Sequence, residues 1–305
     1  MTQMERPESN MTGASVRITV VIATIRRPEI VSQTIARIIS GQTFKPHELI
    51  ISTVSREDAG EAAELPGVTT VIAPPGLAAQ RNAALNKIGL DADVIVFFDD
   101  DFVPNSRWLE IVAHVFQSHL DVVGVTGDVI ADGIKGPGFS FEEADKLLHE
   151  SGRPMSLRLI DGYSPYGCNM AFKRSAVGDL RFDERLVLYG WLEDRDFGAR
   201  LSRKGGRLVK CMQARGVHLG VKSGRIAGQR LGYSQIINPV YLFRKRTMTA
   251  SGAVGQIFRN VASNVVGAII PEPYIDRRGR LKGNLLGIYD AICGKIEPER
   301  AQTVI

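Results

Sequence analysis

Cysteine is scarce. The three present, Cys168, Cys211 and Cys293, are odd in number and far apart. They exclude a disulfide framework and a cysteine-based zinc site, and they suit reduced thiols in the cytosol. No apolar run is long enough to cross a bilayer. The nearest, residues 254–270, is interrupted by Gln256, Arg259, Asn260 and Asn264. Residues 1–15 are polar and lack the apolar core of a signal peptide, so we expect a disordered tail. The expected location is cytoplasmic, either free or peripheral at the inner face of the membrane. Charge of one sign does not dominate: the net charge is +5. With no RNA- or DNA-binding motif, nucleic acid is not an expected partner, whereas anionic substrates or lipids are compatible. There is no internal repeat.

Two common nucleotide-binding signatures are also missing. The first expected strand, residues 17–24, runs into Ala23-Thr24-Ile25-Arg26-Arg27-Pro28, with no GxGxxG turn. The second ends in Ser52-Thr53-Val54, where a nicotinamide-binding domain would carry an acid. No GxxxxGK[ST] phosphate loop occurs.

What is present is an α/β pattern. Hydrophobic residues make up 44% and charged residues 23%, ordinary for a soluble globular chain. Strand patterns at 17–24, 48–53, 68–73, 93–98 and 122–130 alternate with helix patterns at 28–40, 77–88 and 108–119. This alternation predicts a mainly parallel sheet covered by helices on both faces. The middle is less regular, with a glycine-rich loop at 133–138, a short helix at 141–150 and a turn at 162–167. A strand at 169–172, a helix at 194–203 and a last strand at 208–212 follow. Beyond His218 a glycine- and base-rich loop, 220–232, leads into helices at 239–246 and 255–266.

The most informative feature is Asp99-Asp100-Asp101, directly after the apolar run Val94-Ile95-Val96-Phe97-Phe98. Five apolar residues in a row read as a strand buried on both faces. Ligands of open α/β sheets bind where strands leave the core at their carboxyl ends. Asp99 and Asp101, two apart in an extended chain, would face the same way. Oxygen ligands of this kind suit Mg2+ or Mn2+ holding a phosphorylated substrate. The alternative is structural: Asp101 or Asn105 could cap a helix starting near Pro104.

Three further groups stand out. Arg81 and Asn82 lie in the first turns of the 77–88 helix, where a guanidinium fork and unpaired N–H groups suit a diphosphate; an exposed helix arginine is the plainer reading. Trp191-Leu192-Glu193-Asp194-Arg195-Asp196-Phe197 precedes a helix. Asp194 there stays ionised and could take a proton from an attacking hydroxyl, or could belong to an acidic first turn. His218 stands alone after the last strand, as a structural histidine or a ligand.

Taken together, these segments resemble glycosyltransferase family 2, a group of inverting, nucleotide-sugar-dependent enzymes of the GT-A fold. The resemblance rests on VVIATIRRPEIVSQTIARIISGQ, GLAAQRNAALN, VIVFFDDDFVP, GCNMAFKR with FDERL, and WLEDRDFGARLSRKGGRL, in that order from Val16 to His218. It implies a GT-A catalytic domain at 16–219, after the tail at 1–15, followed by a flexible basic loop and helical extension at 220–305. It further implies Asp101 as a direct metal ligand, Asp99 on the ribose or the metal shell, and Asp100 beside the donor. Arg81 would sit near the diphosphate, and Thr24 and Arg26 against the nucleotide. Asp194 would be the catalytic base and Glu193 its support or an acceptor-orienting group. Trp191 would face a sugar ring, with Cys168 and Asn169 on the acceptor side, and His218 would complete the metal site.

One departure concerns the base of the nucleotide. Thr53-Val54 stand where the family usually has two aspartates, so Thr53 would contact the base with less discrimination. The implied cofactor is Mn2+ or Mg2+, the donor a nucleoside-diphosphate sugar, and the acceptor a saccharide or lipid-linked saccharide. The 220–232 loop, with Lys222, Arg225 and Arg230, would order over the donor phosphates. The segment 241–246 mixes apolar and basic residues, as an interfacial helix would; a helix packed on the catalytic domain is the other reading. Homodimerisation through the C-terminal helices is a further expectation. Rival functions are a sugar-phosphate nucleotidyltransferase and a non-catalytic carbohydrate-binding relative.

Overall fold

The computed structural model describes residues 16–152, 156–223 and 227–304. The expected tail at 1–15 lies outside the described residues. The chain order is β1 (Ile18–Ala23), α1 (Pro28–Gly41), β2 (Glu48–Thr53), a 3-10 stretch (Glu57–Glu64), β3 (Val68–Ile72), α2 (Leu77–Lys87) and β4 (Val94–Asp99). Next come β5 (Phe102–Pro104), α3 (Trp108–Ser118), β6 (Val122–Asp132), α4 (Phe141–Glu150), β7 (Leu159–Asp161), β8 (Asn169–Lys173) and a one-turn α5 (Arg174–Val177). Then follow α6 (Glu193–Ser202), β9 (Arg207–His218), α7 (Gly228–Arg244), α8 (Ala250–Ile269), α9 (Arg277–Ile292) and a 3-10 turn (Pro298–Gln302).

One nine-stranded sheet has the order β3-β2-β1-β4-β8-β6-β9-β5, with β7 paired to β9. β1 pairs in parallel with β2 and β4, and β2 with β3. β8 runs antiparallel between β4 and β6, and β9 returns parallel to β6. Alternation along the strands splits the core. Val20 and Ile22 of β1 face α1 and α3, where Ile35, Ile38, Trp108 and Val112 pack. Val21, Ile95 and Phe97 face the opposite side, against Ala84, Leu85 and Phe197 from α2 and α6. Register then delivers the chemistry: Ala23 lies opposite Asp99, Phe98 opposite Asn169, and Asp132 opposite His218.

The expected last strand was too short. β9 extends to His218, through bulges against β6 at Gly127/Asp128 and Val129/Ala131. Such bulges interrupt the periodicity by which a strand is recognised. The C-terminal region also differs. α7 begins at Gly228, so part of the expected 220–232 loop is helical, and it passes through Pro239 without ending there. Proline removes one helical hydrogen bond, yet Asn238 and Pro239 are buried, and the Asn238 amide donates to the Trp191 carbonyl at 2.8 Å. α9, glycine-rich and weakly amphipathic, carries little periodic signal; its Gly283 lies where a Cβ would meet the Gln229 carbonyl of α7. Residues 224–226 of the expected lid lie outside the described residues.

The helical extension is anchored to the sheet domain by charge. Lys245 donates to Asp183 and, at 2.8 Å, to the fully buried Asp196. Tyr241 donates to Asp183 at 2.8 Å. These two residues of the 241–246 segment therefore face the sheet domain. Removing one partner of a buried pair strands the other charge. We expect Lys245→Ala to cost about 2 kcal/mol in urea unfolding, since Arg200 still pairs with Asp196. A loss within error of zero would show that the anchor carries no stability.

Candidate active site

Two of the three consecutive aspartates converge with one histidine. Asp99 closes β4, while Asp100 and Asp101 form the turn to β5. The segment is thus a turn and not extended, but Asp99 and Asp101 still present their carboxylates on one side. His218, at the end of β9, places Nε2 at 3.2 Å from Asp101 Oδ1 and 3.9 Å from Asp99 Oδ2. Ligand atoms of these three residues lie within 4.8 Å of one another, a spacing able to hold a metal ion. The Asp101 carboxylate also accepts the Val221 N–H at 2.8 Å. It caps no helix: α3 starts without a side-chain cap.

Asp100 points elsewhere. It accepts from the Thr24 hydroxyl at 2.7 Å and from Arg27 at 2.9 Å. Arg27 also donates to the backbone carbonyls of Ser223 and Val221, and so fastens the chain leaving β9 to the aspartate turn. Arg26, beside it, is exposed with φ of 56°, and its N–H donates to Asp58.

Charge balance in this cluster is tight. Burial pushes Asp100 up to about 7, against the pull of Arg27. Burial acts the same way on Asp101, but the His218 hydrogen bond outweighs it and brings Asp101 down to about 2. Burial would discharge His218, yet bonds to Asp101 and Asp132 raise it to about 10. The imidazolium therefore occupies the place of a cation between carboxylates. Its other nitrogen, Nδ1, lies 3.1 Å from Asp132 Oδ1, and Tyr166 donates to the second Asp132 oxygen at 2.8 Å. A metal bound there would displace the Nε2 proton, and Nδ1, held by Asp132, would keep the ring aimed at the two aspartates.

A second cluster is joined to the first by Arg81. The guanidinium is fully buried and lies over the rings of Phe97 and Phe182 at about 5.5 Å. It donates to Glu193, to Asp99 at 3.2 Å and to the Gly167 carbonyl at 2.8 Å. Asp194, at the start of α6, accepts the Gly167 N–H at 2.8 Å and the Arg195 N–H at 2.7 Å. Burial raises both carboxyls, Glu193 to about 8 against the pull of Arg81, and Asp194 against its two N–H donors. The approach to α6 carries backbone strain: Leu188 and Leu192 have φ of 61° and 72°. Strain of this kind persists where surrounding structure over-determines it, often at functional sites.

Other expected residues fall less directly on the site. Thr53 is fully buried, as are Cys168 and Asn169. The Asn169 amide oxygen accepts the Gly127 N–H at 2.6 Å, so this side chain ties β8 to β6. Trp191 is partly exposed and its carbonyl holds Asn238. Lys222 donates to the carbonyls of Gly133 and Ile134, and Arg230, in α7, to that of Val304. Arg225 lies outside the described residues. Arg27, Asp132 and Tyr166 were not anticipated. The pairing of Asp132 with His218 across β6 and β9 is what brings one of them into view.

Comparison with known proteins now decides the family. A sequence profile described as "Glycosyltransferase like family 2" matches residues 16–261. The chain belongs to glycosyltransferase family 2. The match runs past His218, through α7 and into α8. Among curated proteins, this family member is 23% identical over 281 residues to glucosyl-dolichyl phosphate glucuronosyltransferase of Haloferax volcanii, covering 88% of this chain and 83% of the relative. Among solved structures, the mannosyltransferase PcManGT from Pyrobaculum calidifontis, in complex with GDP-Man and Mn2+, aligns with a TM-score of 0.53 at 15% identity, covering 90% of this chain and 86% of the other. Glucosyl-3-phosphoglycerate synthase from Mycobacterium tuberculosis, with Mn2+, UDP and glucosyl-3-phosphoglycerate, aligns at 0.50 and 16% identity, covering 75% and 80%. The fold is GT-A.

Two substitutions probe this geometry. Arg81→Met leaves Glu193 and Asp99 buried without their cation, so we expect a loss of about 3–5 kcal/mol in denaturant unfolding; a change below about 1 kcal/mol would contradict the bridge. Asp132→Asn weakens the hold on His218 Nδ1. Calorimetric titration with Mn2+ should then show about 10–100-fold weaker binding, and equal affinities would remove Asp132 from the site.

Proposed function

We propose that this glycosyltransferase moves a sugar, with inversion, from a nucleoside-diphosphate sugar to a hydroxyl of a saccharide or lipid-linked saccharide acceptor. The observation that carries the reading is the joined cluster: the Asp99–Asp101–His218 triad and the Glu193–Asp194 pair meet through Arg81 and Gly167. In support, the H. volcanii relative carries a lipid-linked acceptor in its name. Both fold neighbours hold Mn2+ with a nucleotide or nucleotide sugar. We read residues 16–219 as the catalytic unit, 220–305 as a helical extension packed on it, and the setting as cytoplasmic.

The donor set of two carboxylates and one imidazole fits Mn2+ or Mg2+, the imidazole favouring Mn2+. Bound there, the ion would neutralise the donor phosphates and help the nucleoside diphosphate to leave. The chain's own residues do the rest. Asp194, fixed by two backbone N–H groups, accepts the proton of the acceptor hydroxyl. As that proton moves, the acceptor oxygen bonds to the anomeric carbon, and the carbon–oxygen bond to the diphosphate breaks on the opposite face. Arg81 holds Asp99 and Glu193 in register with Asp194, and Arg27 keeps the 221–223 backbone against the aspartate turn.

The test is transfer from nucleotide sugars to a polyprenyl-phosphate-linked sugar, read as nucleoside diphosphate release. Asp194→Asn should lower kcat by about 10²–10⁴-fold while nucleoside diphosphate binding persists. A base must be ionised, and burial raises the Asp194 pKa. Activity should therefore fall as pH drops through a value above the ordinary carboxylate range of about 4. Normal turnover by the Asp194→Asn variant, or an acid limb lying below that range, would refute the assignment.

A further inference from the structure

Between His218 and Glu272 the sequence has no aspartate or glutamate, and it has seven lysines and arginines. This acid-free stretch contains α7 and α8. α8 exposes a stripe at helical spacing: Val254, Phe258, Val265 and Ile269, with Phe258 71% and Ile269 76% exposed. Its opposite face, through Asn264 and Gly267, packs on Gln235, Asn284 and Arg277. α9 exposes a second stripe of Leu285, Tyr289 and Ile292, the last 81% exposed. The same face of α9 continues at spacings of three and four to Lys282 and Arg278.

A cavity of about 390 Å³ opens at that basic end, lined by Arg230, Arg278 and Lys282, with Asp276 the one acid. The Asp276 carboxylate accepts the Gly279 N–H and so caps α9. Arg278 joins the two stripes, since its Nε donates to the Ala268 carbonyl, one residue before Ile269.

We propose that α8 and α9 form a docking surface for an anionic lipid bilayer. Phe258, Ile269, Leu285 and Ile292 enter the headgroup–acyl boundary, and Arg259, Arg278 and Lys282 pair with lipid phosphates. Exposed apolar stripes edged by bases, on helices too polar to span, are the signature of an interfacial surface. Charge decides between a bilayer and a second copy of the chain. An isologous contact sets the same patch against itself, and here it would face bases with bases. The surface differs from the 241–246 segment, whose Tyr241 and Lys245 are committed to Asp183.

Flotation of the full chain with vesicles tests this independently of any transfer chemistry, so its failure would leave the transferase reading standing. The protein should float with vesicles of mixed phosphatidylglycerol and phosphatidylcholine, and about tenfold less with pure phosphatidylcholine or in high salt. Phe258→Ser with Ile269→Ser, and separately Arg278→Glu with Lys282→Glu, should each cut flotation at least about tenfold. Transfer to a soluble acceptor should be unchanged in both. Flotation that neither pair of substitutions lowers, or no flotation at all, overturns the proposal. So does a dimer in light scattering that Phe258→Ser with Ile269→Ser dissociates.

Discussion

A guanidinium removed from water and held by two carboxylates is the constraint on which this candidate site rests. Arg81 contacts Asp99 on one side and Glu193 on the other, with the faces of Phe97 and Phe182 against it. Each ion alone in that interior would cost several kcal/mol; together, with the Gly167 carbonyl taking a further N–H, they offset one another. The consequence is spatial. The end of β4 and the start of α6 come from distant parts of the chain, and one side chain sets their separation.

The aspartate triplet divides its labour by the same logic. Three carboxylates in a row cannot all face one pocket without heavy repulsion. Asp100 turns back to Thr24 and Arg27, which leaves Asp99 and Asp101 to face His218. Arg27 then reaches the backbone at Val221 and Ser223, so β1, β4 and the exit of β9 meet at one point. His218 in turn depends on Asp132, its partner in the β6–β9 register.

Much of this was legible in the sequence, for identifiable reasons. Strands β1, β2 and β4 carry apolar runs because both of their faces are buried, and helices α1 and α3 carry a clean amphipathic period because each buries one face. Asp99, Asp101, Asp194 and His218 stand out in the sequence as candidates because few residue types carry such chemistry, and the structure brings the first, second and fourth together. What escaped depends on pairing. The far half of β9 is hidden by its bulges, and α9 by glycines chosen for close approach to α7. Arg26, expected against the nucleotide, is left in solvent, while the fold half-buries Arg27 against Asp100. Thr53 at the end of β2, and Cys168 and Asn169 at the entry to β8, are buried in the sheet, where Asn169 ties β8 to β6.

Gly167 joins the two clusters through its main chain alone. Its carbonyl serves Arg81 and its N–H serves Asp194, so a single residue's backbone couples the two side-chain clusters. Neither bond involves a side chain of Gly167 itself. Comparison of residue identities among relatives is blind to such a joint, because any amino acid except proline supplies the same N–H and C=O. Searches for distant members of this family that weigh main-chain geometry at this turn would register what a pattern of letters overlooks.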